Sequence, residues 1–423
     1  MRIVSERLSH YSILAVMPKR LLPLLPAAFL LWLVHPFIIA AQTVPAGAVP
    51  TPPADYIVYH DSSGTCSLKD VVGDCLVERG EDASSVIQKA IDLLSVSGGK
   101  VYIAAGSYRL ESTIVVANKH GVHIEGAARG MQGRTQGGTV LWSDKPINLL
   151  EIYGGDKRVF GVTVTNLLLY GSGVSNGKAG IWVHGTTDAM TLANVGVNHC
   201  GIGIYLQGGR GTADSGVIDA AQIYFCDPQI NGIGLLLERA HYTKVFGGEF
   251  SDCVGPGIRL SSPGGDQRIQ SVKIVGVTAV RDGGAGIFIG SHCEDITVTG
   301  GTDVGGTRKG SGIVISSEGK SGGEPLNIIC DGVHSYNNEV DGINVSDSRH
   351  VIISNSICSV HDHAAVTASG QRDGIRIGRH CRDVVVIGNI VYGNAGGGIV
   401  DLSRRAKLNG NSVGTGTRGG RVK

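Results

Sequence analysis

Short stretches of alternating apolar and polar residues recur along the chain, and most open on a Gly-Ile pair. The pairs start at Gly180, Gly203, Gly232, Gly257, Gly286, Gly312, Gly342, Gly374 and Gly398, with 23 to 32 residues from one to the next. Alternating residues follow, as in GIWV, GIRL, GIFI, GIVI, GINV and GIRI. Alternation at period two marks a strand with one face buried. Repeats of this length, with two or three short strands and no helical pattern, suit one turn of a β-solenoid. Nine rungs plus the turns before them predict roughly ten to eleven coils, about 4.8 Å apart. Propellers of the WD type have longer repeats with their own signatures, and the Leu/Asn spacing of leucine-rich repeats is absent.

A second register runs beside the first. A turn-type residue or Cys follows six residues after a small or polar strand opener: Asn194/Cys200, Ala220/Cys226, Gly247/Cys253, Gly276/Asp282, Gly332/Asn338, Ser356/Asp362 and Gly388/Asn394. Asn and Asp suit tight bends because they tolerate left-handed backbone angles and bond nearby backbone. Stacked over successive coils they predict a polar ladder, with Cys200, Cys226 and Cys253 as small buried substitutes. The exposed strand edge at the start of a solenoid needs a cap. Asp82 can cap a helix through Ala83–Val96, whose Val86, Ile87, Ala90, Ile91 and Leu94 share one face and which Gly98-Gly99 ends. No amphipathic helix follows the last rung, so that end is expected to be poorly covered or covered by a partner.

Gly is abundant, 65 of 423 residues, without the Gly-x-y period of collagen. Basic and acidic residues balance, 37 against 36, and aromatics are 5%. This gives no electrostatic footprint for nucleic acid. Lys19 and Arg20 precede an apolar run from Leu21 to Ala41 that ends in small residues. It is expected to be a signal peptide over 1–41, cleaved before Gln42, which places the protein outside the cytoplasm: secreted, periplasmic or at the cell surface, with no membrane attachment after cleavage. The alternative is an uncleaved membrane anchor, since the run is nearly long enough to span. Residues 42–80 then read as a Pro-rich linker with a loop bracketed by Cys66 and Cys75. The solenoid takes 81–415 and a tail 416–423. Export favours a Cys66–Cys75 disulfide. Nine cysteines in all leave at least one thiol free.

The segment from Asp82 to Gly130 resembles the opening of the pectate-lyase-like superfamily, which includes rhamnogalacturonase-, epimerase- and pectate-lyase-like domains. The residues that carry this are the helix ending at Gly98-Gly99, then Val101-x-Ile103-x-x-Gly106-x-Tyr108, then Val122-x-Ile124-x-Gly126. The resemblance implies an all-β, single-stranded, right-handed parallel β-helix over about 80–415, and polysaccharide as partner. It does not name a chemistry. Arg376-Ile377-Gly378 lacks the Lys of the polygalacturonase Arg-Ile-Lys, and Asp227-Pro228-Gln229 departs from the Asp-Pro-His of alginate epimerases. Pectate lyases imply Ca²⁺ between protein and substrate acids. No dense acidic cluster demands it here, and no other cofactor is expected.

In a Gly-Ile-x-Val strand the residue x points outward. Trp182, Tyr205, Arg259, Phe288, Asn344 and Arg376 then form an outward strip, with His184 and Gln207 two residues further on. Aromatic planes beside polar groups suit sugar rings, and the arginine fork matches a uronate carboxylate. Asp341 and Asp373 precede Gly on adjacent rungs. Their expected separation, one coil, matches the roughly 5–5.5 Å of a retaining glycosidase pair, where two like charges would set one acid against one base. The plainer reading is that Asp before Gly is a turn residue. His361, in the long loop 361–373, is the alternative proton donor. The reading that follows is a protein acting on an acidic, uronate-containing polysaccharide as hydrolase or lyase. The alternative is a non-catalytic glycan-binding or surface scaffold.

Overall fold

The computed structural model describes residues 54–130, 133–134, 137–209, 216–262, 268–319, 322–360 and 370–414. The expected signal peptide, most of the linker before 54, His361, Asp362 and the tail 416–423 lie outside them. The chain winds as strands that each pair in parallel with the equivalent strand of the next coil. The expected right-handed parallel β-helix is therefore the fold.

Inward residues of the Gly-Ile strands stack into one file. Successive partners are Ile114, Leu150, Ile181, Ile204, Leu235, Ile258, Ile287, Ile313, Ile343, Ile375 and Ile399. All but Ile399, at the last coil, are buried to 1% exposure or less. Burying one such side chain contributes about 1.5–3 kcal/mol, so this file and its counterparts on the other sheets supply the core. One rung departs from the expected register. Ile233 pairs with Ile202, and it is Leu235, after Gly234, that enters the file.

The coils turn at two regular corners. At one, a left-handed residue stands in ten successive coils: Asn166, Asn194, Phe225, Gly247, Gly276, Gly300, Gly332, Asn355, Gly388 and Gly410. Ala220 and Ser356 were expected there, but Phe225 and Asn355 take the positions. The other corner holds the polar ladder: Cys200, Asn231, Cys253, Asp282, Thr307, Asn338, Gln371 and Asn394. Hydrogen bonds join Cys200 to Asn231, Cys253 to Asp282, Thr307 to Asn338, and Asn338 through Gln371 to Asn394, while the Asn231 and Asp282 carbonyls accept from Val254 N and Arg308 N of the next coil. Cys226 is buried but stands outside this ladder, because Asn231 fills the rung of its coil. Likewise Gln371, not Asp362, takes the rung between Asn338 and Asn394.

At the N-terminal end α1 (Ala83–Leu93) covers the first coil. Asp82 accepts the Ser84 N–H at 2.9 Å. The helix stops short of Val96. Leu94 turns extended, and the Lys119 ammonium donates to the carbonyls of Ile91, Asp92 and Leu94, a cation on the negative end of the helix. Residues 56–80, expected as linker and loop, instead extend the sheet. β1 (Tyr56–His60) pairs in parallel with β4 (Gly99–Ile103) and antiparallel with β2 (Cys66–Asp70), which pairs with β3 (Cys75–Gly80). This hairpin also forbids the expected disulfide. Cys66 lies opposite Gly80 and Cys75 opposite Asp70. That is four positions along a ladder, roughly 13 Å at the usual rise, against a limit of about 7 Å between bridged Cα atoms. Both cysteines are free thiols, and burial pushes the Cys66 thiol up to about 12.

Asp282 is the one ladder carboxyl. Its Oδ1 accepts from Cys253 N at 2.9 Å, as Asn231 Oδ1 does from Cys200 N. Asn231 Nδ2 also donates to Val197 O at 2.7 Å, whereas Asp282 Oδ2 is buried without a partner. Burial raises the Asp282 pKa from 3.8 to about 8, so at neutral pH the group is a protonated stand-in for Asn. A pKa raised by folding favours the fold fully below 3.8, and that advantage is lost as pH rises toward about 8. Asp282→Asn should therefore raise the Tm by several degrees, and its lead over the parent should widen from about pH 5 to about pH 9. Thermal melts across that range check this; a lead that stays constant with pH would contradict it.

Candidate functional site

Outward residues of the same strands form the second file that alternation requires. From the third coil on, register partners are Trp182, Tyr205, Leu236, Arg259, Phe288, Val314, Asn344, Arg376 and Val400. All six residues expected on the strip are in it, with Leu236 and Val314 interrupting. Glu151 precedes Trp182 in this file. Two residues further along each strand runs a shorter file of Tyr153, His184, Gln207 and Glu238. These contacts divide the face into three parts.

The first part spans four adjacent coils. The His184 ring is stacked between Trp182, centroids 3.9 Å apart, and Tyr153, at 4.5 Å. Its Nε2 lies 2.7 Å from Glu151 Oε1. Trp182 Nε1 donates to Gln207 Oε1 at 3.3 Å, and Gln207 Nε2 donates to Glu238 Oε2 at 3.1 Å. The Tyr205 hydroxyl donates to that same oxygen at 2.6 Å. His184, Tyr153 and Gln207 line an open cavity of about 360 Å³ whose floor is Gly154, Gly155, Gly185, Gly208, Gly209 and Gly216. The floor has to be glycine. Gly185 has φ +74°, the register shifts beside it, and a Cβ there would meet Gly154 O at 1.9 Å. Arg239 donates to Gly209 O at the rim.

In the second part, the Arg259 guanidinium lies over the Phe288 ring, 4.9 Å from its centroid, and pairs with Glu318. Ser261 and Ser291 also donate to Glu318. Glu318 thus folds back onto the strip.

The third part holds the paired aspartates. Asp341 and Asp373 are register partners on adjacent coils, as expected, but both are buried, at 0% and 3% exposure. Arg372 forks onto Asp341 with Nε at 3.0 Å and Nη2 at 2.8 Å, and Asn344 Nδ2 donates to it at 2.8 Å. Asp373 accepts Arg376 Nη1 at 2.7 Å and Gly397 N at 2.9 Å. The carboxylate oxygens thus face donors, a set that does not fit Ca²⁺. Among the described residues no three His, Cys, Asp or Glu side chains converge as metal ligands. His361 lies outside the described residues.

Sequence reading missed Glu151, Tyr153 and Glu238. Glu151 stands in LEIY, an alternating stretch without the Gly-Ile signature, and Glu238 at the end of GLLLE. Alternation alone could have flagged both as outward; which coil each faces depends on the register.

Residues 150–321 match the family described as right handed beta helix region. No curated protein matches the chain. Among solved structures, the mannuronan C-5 epimerase AlgE4 A-module of Azotobacter vinelandii is 16% identical over 81% of this chain and 96% of that one, with a TM-score of 0.50. The catalytic unit of an α-1,3-glucanase from Streptomyces thermodiastaticus is 16% identical over 78% of this chain and 66% of its own, TM-score 0.55. DFA-IIIase from Arthrobacter chlorophenolicus is 14% identical over 77% and 85%, TM-score 0.53. At such identities the likeness is one of fold.

The burial of the aspartate pair generates a prediction. Each carboxylate gathers several donors that its removal would leave without an acceptor, while the half-exposed arginines stay solvated. Asp341→Ala and Asp373→Ala should each cost on the order of 2 kcal/mol of stability, measured by denaturant unfolding. Unchanged unfolding midpoints would show that the two carboxylates do not hold the coils together.

Proposed function

We propose that the protein cleaves a polysaccharide laid along the outward file, with sugar rings on Trp182 and Tyr205 and His184 as the proton carrier. The observation that carries this is the His184 imidazole, which lines the cavity while Glu151 holds one of its nitrogens. Such a pair leaves the other ring nitrogen for the substrate, and imidazole is the side chain most often used to move a proton in catalysis. The aromatic planes supply the stacking surface that an apolar sugar face requires, and Gln207 adds polar contacts. Glu151 acts as a positioning residue behind His184. Glu238 orders Tyr205 and Gln207. The solved structures with this fold that are named for a mannuronan epimerase, an α-1,3-glucanase and a DFA-IIIase support a saccharide substrate. The apolar leader supports export.

Arg259 and Arg376, expected to bind substrate carboxylates, each already hold a protein carboxylate. The cavity itself is flanked by the carboxylates of Glu151 and Glu238. The sugar that occupies it is therefore neutral, whatever the rest of the polymer carries.

The test is a panel of polysaccharides, read by reducing ends and by absorbance of unsaturated uronates, which separates hydrolysis from elimination. His184→Ala should lower kcat at least about 100-fold on whichever substrate the parent cleaves. Glu151→Gln should lower it less and alter the pH profile. Full activity of His184→Ala would overturn the assignment, and binding without turnover by the parent would leave a glycan-binding scaffold.

A further inference from the structure

A second cluster of aromatic and basic side chains lies away from that cavity, on the sheet that precedes the Gly-Ile sheet around each coil. Trp142 and Tyr170 are register partners there, at the ends of the strands Thr139–Trp142 and Thr163–Tyr170. The Arg134 guanidinium lies over both rings, 4.7 Å from the Trp142 centroid and 5.0 Å from that of Tyr170. On its other side Tyr170 stacks against His199, centroids 4.5 Å apart. All four residues are half-buried.

The charges around Arg134 are unbalanced. Its neighbour Arg109 pairs with Glu111 and Asp144. Among the described residues, no carboxylate forms an ion pair with Arg134. A guanidinium held against two rings needs less ordering to fork onto a carboxylate than a free side chain does. Burial and the nearby Arg134 charge both lower the His199 pKa, so near neutral pH His199 offers a neutral ring beside the cation.

We propose that Arg134, Trp142, Tyr170 and His199 form a second saccharide site, one that takes the carboxylate of a uronic acid. The carboxylate would accept two parallel hydrogen bonds from Arg134, while the sugar ring rests beside Trp142 or His199. This rests on the reading that the chain handles polysaccharide, and it adds that the polymer contains uronate held apart from the cavity. Arg134 thus takes over the role that the sequence suggested for Arg259 and Arg376.

Titration calorimetry on the full chain carrying His184→Ala tests this without turnover. The probes are an oligogalacturonate and the same oligosaccharide with its carboxyls reduced to the neutral sugar. The acidic probe should bind at least about tenfold tighter at low salt, and the preference should shrink as salt rises. Arg134→Met keeps an unbranched stem over the rings but removes the charge, and it should abolish the preference. Trp142→Ala should weaken both probes. Equal affinity for the two probes, or a preference that survives Arg134→Met, would overturn the site. A preference lost instead in Arg259→Met or Arg376→Met would place the uronate on the Gly-Ile sheet and also overturn it. None of these outcomes depends on whether His184 moves a proton, so the two proposals fail separately.

Discussion

Parallel pairing between successive coils is the constraint from which the rest of this structure follows. Each strand takes its hydrogen bonds from the coil before and the coil after, so equivalent residues sit one above another at about 4.8 Å. A residue type that suits a position in one coil therefore suits it in the next. Inside, this yields the apolar file from Ile114 to Ile399. At the corners it yields a column of left-handed residues and a ladder in which Asn, Gln and a protonated Asp each satisfy the backbone of a neighbour. Outside, the same stacking places aromatic and charged side chains close enough to act together.

The inward file was legible because burial demands the same answer in every coil, and Gly-Ile-x-apolar repeats it. Where the chain offers two frames, as in GIGLLL, the pair Gly232-Ile233 looked like the rung while Leu235 occupies it. The corner ladder was legible as a kind of position but not in membership. Cys226 and Asn231 were both available to one coil, and only the register decides between them. The hairpin of residues 56–80 was missed because its partners are antiparallel and lie outside the repeat. The disulfide failed for the same reason, since strand pairing holds Cys66 and Cys75 at opposite ends of that hairpin.

For the functional face, period two was enough to name the outward residues from Trp182 to Arg376. It could not show which of them are already engaged. That depends on turns of unequal length, which bring Glu318 back onto Arg259 and Arg372 onto Asp341. The face is accordingly uneven. Its C-terminal part is closed by ion pairs made within the protein, of which Arg259–Glu318 and Arg372–Asp341 join different coils. Its N-terminal part has an aromatic platform, an imidazole held by a carboxylate, and a cavity floored by glycine. Rigid strands hold these groups, which suits a site whose geometry must be kept.

The most direct measurement is a crystal structure of the His184→Ala protein soaked with an oligosaccharide of the polymer that the parent cleaves. A sugar ring should lie against Trp182 and Tyr205, with a hydroxyl or bridging oxygen within about 3 Å of the position vacated by the His184 imidazole. Saccharide bound over Asp341 and Asp373, with their arginines displaced and the aromatic platform empty, would contradict it.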